Sequence, residues 1–359
     1  MNNGNRRRNH KRYRIRYDRI IAVVLVLVVL IVIITSCTKS CSKKSSGKDN
    51  SSSRSSDSVV DELTTSAPAD NNVSSPDTPV QTQPVPSGAV EFTTQSVDRA
   101  QVSNGDLILV NSLYSYKFQP EDISLATLYD NRNDYYGVSD NVVSLDSRVI
   151  TQLNALMQAA SSVSANANIS VFGGYRTLEE QTDKFNSGTS KFQGGCTDYH
   201  TARTFDMGIF PPGEGSYYYQ PKDNYAWIDE NAANYGFILR FPEGKDTLTG
   251  ESARTYTYRY VGVPHAVYIK QNNLCLEEYI ETVKTYTNTS PLQITAGTAQ
   301  YQVYYAAANG EGATEVPVPS QLPYTISGNN IDGFIITVSL SGEAPAAADT
   351  SAAQTDIPQ

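Results

Sequence analysis

Residues 20–34 form an unbroken apolar run, extended by Thr35, Ser36 and Cys37. As a helix, residues 20–37 span roughly 27 Å, close to the thickness of a hydrocarbon core. Residues 38–88 carry Ser, Thr, Pro, Asp and Asn with almost no large apolar side chains. Such a stretch buries too little surface to offset its ordering entropy and reads as a disordered linker. Patterning returns near Ala89. Leu107, Ile108, Leu109 and Val110 follow a Gly105-Asp106 turn and predict a buried strand. From Asp146, an Asp cap precedes Val149, Leu153, Leu156, Met157 and Ala160 at helical spacing. Residues 169–172 read as a strand running into Gly173 and Gly174. Thr177, with Glu180 three residues on, is a capping box that opens a second helix.

Further along, residues 197–210 alternate polar and apolar and suit a strand with one polar face. Residues 223–236 predict a helix ended by Gly236. Residues 237–240 and 255–261 predict strands, and 264–269 and 276–285 predict helices. Glu277 and Glu278 sit in the first turn of the last one, where the helix dipole favours them. Residues 301–305 and 334–338 are strand-like within a stretch marked by Gly and Pro, predicting a small β appendage over 289–340. Residues 341–359 are rich in Ala, Ser and Thr and predict a disordered tail.

Charge adds an orientation. The 359 residues hold 28 basic and 37 acidic side chains, a net of -9. Eight of the basic ones lie in residues 1–19 against one acidic, so the remainder holds 20 basic and 36 acidic. Positive charge before an apolar run stays in the cytoplasm, which places the bulk of the chain outside the membrane. Two readings follow: an uncleaved single-pass anchor over residues 20–37, or a lipoprotein signal in which Ile34-Thr35-Ser36-Cys37 presents Cys37 for acylation. The acidic body argues against nucleic acid as a partner. Tyr is abundant, at 24 against one Trp; an apolar ring with a polar tip suits sugars and peptides, and suits strand surfaces equally. Cys196 and Cys275 are the pair available for a disulfide within the body, or two isolated thiols.

Candidate chemistry lies in four blocks: VFGGYRTLEEQ (171–181), TDYHTARTFDMGIF (197–210), YGFILRFPEGKDTLTG (235–250) and YTYRYVG (256–262). In that order they resemble the VanY-type D-alanyl-D-alanine carboxypeptidases, zinc enzymes whose fold is shared with lysostaphin and the hedgehog signalling domain. The resemblance spans residues 107–285. It implies an α+β fold, a small antiparallel sheet with flanking helices, over 89–288. The family pattern Ser-x-His-x-Thr-Gly-x-Ala-x-Asp matches at Thr201 and Asp206 but places its zinc histidine on Tyr199, its Gly on Ala202 and its Ala on Thr204. The pattern Thr-Gly-x-x-x-Glu-x-Trp-His-x-Arg-Tyr-Val-Gly matches at Thr249, Gly250, Arg259, Tyr260, Val261 and Gly262. Its catalytic Glu falls on Arg254, its Trp on Tyr256 and its zinc histidine on Thr257.

The resemblance therefore implies substrate-binding roles for Tyr175, Arg176 and Gln181, with Arg176 suited to a carboxylate through its bidentate fork. It leaves Asp206 as the surviving metal ligand, with the positions at Tyr199 and Thr257 lost, and Arg254 where a proton acceptor is needed. Arg254 is expected to pair with Asp206 and fill the vacated site. A relocated metal site would draw on His200, Asp206 and His265. Cys196 with His200 as its base is a further arrangement, without an orienting third group. Two functions follow. One is a catalytically inactive relative that binds peptidoglycan stem peptides and needs no cofactor. The other is an active D,D-carboxypeptidase with zinc on the relocated ligands. A signalling ectodomain with an unrelated partner is the third reading.

Overall fold

The computed structural model describes residues 90–118 and 123–342. The basic arm, the apolar run with Cys37, the linker through residue 88 and most of the tail lie outside the described residues. Among the described residues no helix is long and apolar enough to cross a membrane. The chain divides into two units, Met1–Thr78 and Pro79–Gln359, and every described residue belongs to the second.

In chain order the elements are β1 (Phe92–Val97), β2 (Leu125–Thr127), α1 (Leu128–Asn131), β3 (Gly137–Val138), β4 (Ser144–Asp146), α2 (Ser147–Ser161) and β5 (Ile169–Gly173). There follow α3 (Leu178–Asn186), a 3-10 turn (Asp198–Thr201), β6 (Thr204–Ile209), β7 (Tyr217–Tyr218), α4 (Ala226–Asn231), β8 (Phe237–Phe241), α5 (Asp246–Thr249) and β9 (Arg254–Tyr260). The last elements are α6 (Val263–Gln271), α7 (Leu276–Val283), β10 (Leu292–Ala296), β11 (Ala299–Ala307), β12 (Thr314–Pro319), β13 (Tyr324–Gly328) and β14 (Gly333–Ser339).

The fold is α+β. A central sheet runs β3-β5-β6-β9-β8, with β7 added beside β6. All its pairings are antiparallel except the short β3–β5 contact. The apolar stripe of α2 covers it: Leu153, Leu156 and Met157 pack with Val171, Phe205, Met207 and Tyr258. Asp146 caps α2 by accepting from the Arg148 N–H. A second sheet runs β10-β11-β14-β13. It shares a core with α7, where Leu276, Ile280 and Val283 meet Leu292, Val303 and Ile335. Its other face meets the β1–β12 ribbon through Tyr304, Ile336, Val97 and Val318. Every residue of β14 is buried, because both faces of that strand are covered.

Three predicted elements differ. Leu107 to Val110 are buried but form no strand. Their polar partners come from the end of β13 and the turn after it: Leu107 N–H donates to Ser327 Oγ, Leu109 N–H to the Asn329 carbonyl, and the Leu109 carbonyl accepts from Asn330 Nδ2. The stretch 197–210 is not one strand. It opens as the 3-10 turn and becomes β6 only after Ala202, whose φ of 55° turns the chain. That left-handed conformation favours glycine, which is what the family pattern carries there. The helix predicted over 223–236 is α4 flanked by 3-10 turns at Asp223–Tyr225 and Ala232–Tyr235, and Gly236 ends it at φ 84°.

Candidate functional site

The site lies where β5, the 3-10 turn, β6 and β9 meet. Asp206 stands on β6, opposite Gly173 of β5 and Thr257 of β9. It is buried. The Tyr199 hydroxyl donates to it, 2.7 Å from each oxygen, and the Thr257 hydroxyl donates to Oδ1 at 2.6 Å. Burial raises the pKa of Asp206 above the ordinary carboxylate value; the two hydroxyls, Arg176 and Arg254 pull it back in part. Burial and the facing carboxylate push the Tyr199 phenol well above its usual range, so it keeps its proton. Gly173 makes room for the carboxylate: a Cβ there would stand 2.6 Å from Asp206 Oδ2.

The 3-10 turn is fixed by buried charge. Asp198 accepts from Arg240 Nε at 2.7 Å and from Arg259 Nη1 at 3.0 Å. Arg259 also donates to Thr201 Oγ at 2.7 Å, and Arg240 reaches Glu277 at 2.8 and 3.0 Å. Buried guanidiniums need such partners, since an unpaired charge in the interior costs several kcal/mol. The network sets the turn, and the turn aims Tyr199 at Asp206.

Arg176 follows β5 and precedes α3, whose start is the predicted capping box of Thr177 and Glu180. Its guanidinium lies 3.7 Å above the centre of the Tyr199 ring and donates to Gln181 Oε1 at 3.1 Å. It makes no carboxylate contact among the described residues. Arg254 does not pair with Asp206 as expected. Its partner is Glu251, three residues away, which also takes Lys191 at 2.5 Å. Asp206 already has hydroxyl partners, and Glu251 offers the guanidinium a carboxylate on the same local turn. Burial opposes the Arg254 charge, but Tyr199, Glu251, Tyr256 and Asp206 together hold its pKa above the ordinary arginine value.

A cleft of about 380 Å³ opens over these groups. Arg176, Lys184, Lys191 and Arg254 supply four positive charges to its lining, against Glu251 and Asp206, while Phe172, Tyr218, Tyr256 and Phe192 supply aromatic walls. Tyr199 forms part of the lining. Of the three predicted substrate-binding residues, only Arg176 is among the lining side chains. Gln181 is buried and donates to Ser190 Oγ and the Phe192 carbonyl, holding the loop that bears Lys191. Tyr175 is half-buried and binds the Ser144 carbonyl through its backbone N–H. Lys184, Lys191, Glu251, Phe172 and Tyr218 were not foreseen. Glu251 lies in the loop before β9, outside any helix, so the i,i+3 helical rule gave no signal for it.

The relocated metal set does not assemble. His200 lies in the buried 3-10 turn, where Nε2 accepts the Gly195 N–H at 2.9 Å, so Nδ1 carries the proton and donates to the Arg176 carbonyl at 2.6 Å. Burial depresses its pKa. Cys196 therefore finds no free base in it. His265 sits in α6, with Nδ1 on the Tyr279 hydroxyl at 2.5 Å and Nε2 on the Thr337 hydroxyl at 3.0 Å. Cys196 and Cys275 are both free thiols.

Comparison with known proteins places the chain among D-Ala-D-Ala carboxypeptidase-like metallopeptidases. The family model described as VanY, D-alanyl-D-alanine carboxypeptidase, matches residues 142–263. A D-alanyl-D-alanine carboxypeptidase of Enterococcus faecium is 30% identical over 264 residues, covering 70% of this chain and 81% of that protein. The bifunctional D-Ala-D-Ala dipeptidase and D-Ala-D-Ala carboxypeptidase VanXYC of Enterococcus gallinarum is 30% identical over 154 residues, 39% of this chain and 80% of that protein. The vancomycin resistance D,D-dipeptidase VanXYg, solved with a D-Ala-D-Ala phosphinate analogue, superposes with a TM-score of 0.58 at 25% identity, covering 69% of this chain and 99% of that one. The chain belongs to the VanY family of D-alanyl-D-alanine carboxypeptidases.

The residues present do not fit the zinc this family implies. A catalytic zinc site takes three ligands from imidazole, thiolate and carboxylate. Here the three positions hold one carboxylate and two neutral hydroxyls that point their protons at it. Among the described residues no three His, Cys, Asp or Glu side chains cluster to hold a metal.

Proposed function

We propose that this chain is a membrane-tethered extracellular member of the VanY family that binds peptidoglycan stem peptides without cleaving them. One observation carries the reading: both oxygens of Asp206 are engaged by protein hydroxyls, at the place where the resemblance puts a metal. Arg254 stands where that resemblance puts the general base, and a guanidinium cannot accept a proton at neutral pH. The cleft keeps what binding requires. Arg176 faces it without a carboxylate partner among the described residues, and a guanidinium fork matches a peptide's terminal carboxylate. Tethering rests on the apolar run 20–37 behind its basic arm, whether as a single-pass anchor or through acylated Cys37. The test is calorimetry with a stem peptide ending in D-Ala-D-Ala, paired with mass spectrometry of the same mixture with and without added zinc. Binding with no release of D-Ala is expected. Release of D-Ala would overturn the non-cleaving reading, and absence of binding would overturn the peptide-binding one.

A further inference from the structure

The cleft continues onto the surface as an aromatic strip that the peptide-binding reading does not use. The β6–β7 pairing sets Tyr218 beside Gly208. The Tyr218 ring stacks on Tyr256, with centroids 4.2 Å apart and planes within 11°, and Phe172 lies 5.8 Å from Tyr218. Gly208 lets a further ring join. A Cβ at that position would come within 2.8 Å of the Phe210 ring and 3.3 Å of the Phe172 ring, so both rings lie close over the bare backbone. Phe172, Tyr218 and Tyr256 line the cleft, and Phe210 carries the strip beyond it. Tyr218 is 57% exposed and Phe210 41% exposed. Aromatic rings packed side by side and left open to water mark a binding surface more often than scattered single residues do.

We infer that Phe210, Phe172, Tyr218 and Tyr256 form a saccharide subsite continuous with the cleft, so that the preferred ligand is a peptide joined to an amino-sugar unit. This rests on the peptide-binding reading. A pyranose ring has an apolar C–H face that stacks on an aromatic ring and a hydroxyl edge that stays wet. Tyr supplies the matching combination of apolar body and polar tip. A wholly apolar partner suits the strip less well, because it runs directly into a lining of four cations and two carboxylates. A molecule that bridges the two regions presents an apolar face at one end and an anionic group at the other.

The test uses the full chain in detergent and two probes. One is the free stem peptide. The other is the same peptide joined at its amino end to a disaccharide of N-acetylated amino sugars. The sugar-bearing peptide is expected to bind about tenfold more tightly, the gain of one to two stacked rings. Phe210→Ala and Tyr218→Ala should each bring that ratio toward one, and Tyr218→Phe should keep it. Both alanine changes fall at exposed positions, so circular dichroism should show the fold retained. Equal affinities in the unaltered chain, or a ratio untouched by either alanine change, would overturn the subsite. Binding of neither peptide would overturn the peptide-binding reading and this ligand with it, whereas binding of the free peptide with no gain from the sugar would overturn the subsite alone.

Discussion

Tyr199→Phe isolates one of the two hydroxyls that hold the Asp206 carboxylate. The ring stays, so the stacking of Arg176 at 3.7 Å survives. What goes is a hydrogen bond 2.7 Å from each carboxylate oxygen. Thr257 still serves Oδ1, but Oδ2 is left facing Gly173 with no room for a replacement side chain. A hydrogen bond to a charged group contributes about 1.5–3 kcal/mol, and a buried acceptor left unpaired costs a similar amount. Urea unfolding at pH 7 should therefore lose about 1.5–3 kcal/mol with an unchanged m-value. The pH dependence supplies a second check. The folded pKa of Asp206 already lies above its unfolded value, so stability from this group is highest in acid and falls as pH rises through the window between the two. Removing the hydroxyl raises the folded pKa further and widens that window upward. The variant should be penalised most at pH 7 and should approach the parent near pH 4, where only a neutral hydrogen bond of about 1 kcal/mol is missing. A loss below about 0.5 kcal/mol, or the same loss at both pH values, would refute the role given to Tyr199.

Three other outcomes are expected. Burial holds His265 at a pKa of about 4, against an ordinary value of 6.5. The unfolded chain thus takes up a proton first, and stability that is complete above about pH 6.5 drains by about 3 kcal/mol as pH falls to 4; His265→Gln should flatten that segment of the urea-midpoint profile. Tyr199→His combined with Thr257→His gives Asp206 two imidazole neighbours, and the doubly substituted chain should bind one zinc by calorimetry where the parent gives no heat. Asp198→Asn removes the charge shared by Arg240 and Arg259 and should cost about 3–5 kcal/mol in urea unfolding, as expected for a broken buried pair.

Elements that depend on local chemistry were legible. The cap at Asp146, the capping box at Thr177 and the glycine stop at Gly236 all act within a few residues, and each is found where the spacing puts it. Elements decided by distant partners were not. The alternation in 197–210 imitates a strand, yet its first half is a turn held by Arg240 and Arg259 from β8 and β9. Leu107 to Val110 have the composition of a buried strand, but Ser327, Asn329 and Asn330, more than two hundred residues away, take up their backbone groups. In the site, the resemblance implied Arg176, which lines the cleft, along with Tyr175 and Gln181, which do not. The partner of Arg254 could not be foreseen, because two carboxylates compete for it and only the fold shows that the hydroxyls of Tyr199 and Thr257 have already claimed Asp206. Lys184 and Lys191 carry no local pattern that distinguishes them from solvated surface lysines.

The same arrangement separates the support of the scaffold from the side chains at the centre of the site. The strands that present Asp206 and Thr257 are joined to each other by backbone pairing at Thr204–Arg259, Phe205–Tyr258 and Asp206–Thr257, which depends on no side chain. The turn that presents Tyr199 is anchored by Asp198, which does not line the cleft, through guanidiniums that are themselves paired with Glu277 and Thr201. Nothing in this support passes through the three positions that face one another at the centre. Those positions need only satisfy a buried carboxylate, and two hydroxyls at 2.6 and 2.7 Å do so without a cation. Substitution there is constrained by the need to satisfy Asp206, whereas Tyr260 and Val261 are held by packing, Arg259 by its pairing with Asp198, and Gly262 by its φ of 87°. That division fits the resemblance read from the sequence, in which Tyr260, Val261 and Gly262 match the family pattern and Tyr199, Arg254 and Thr257 do not.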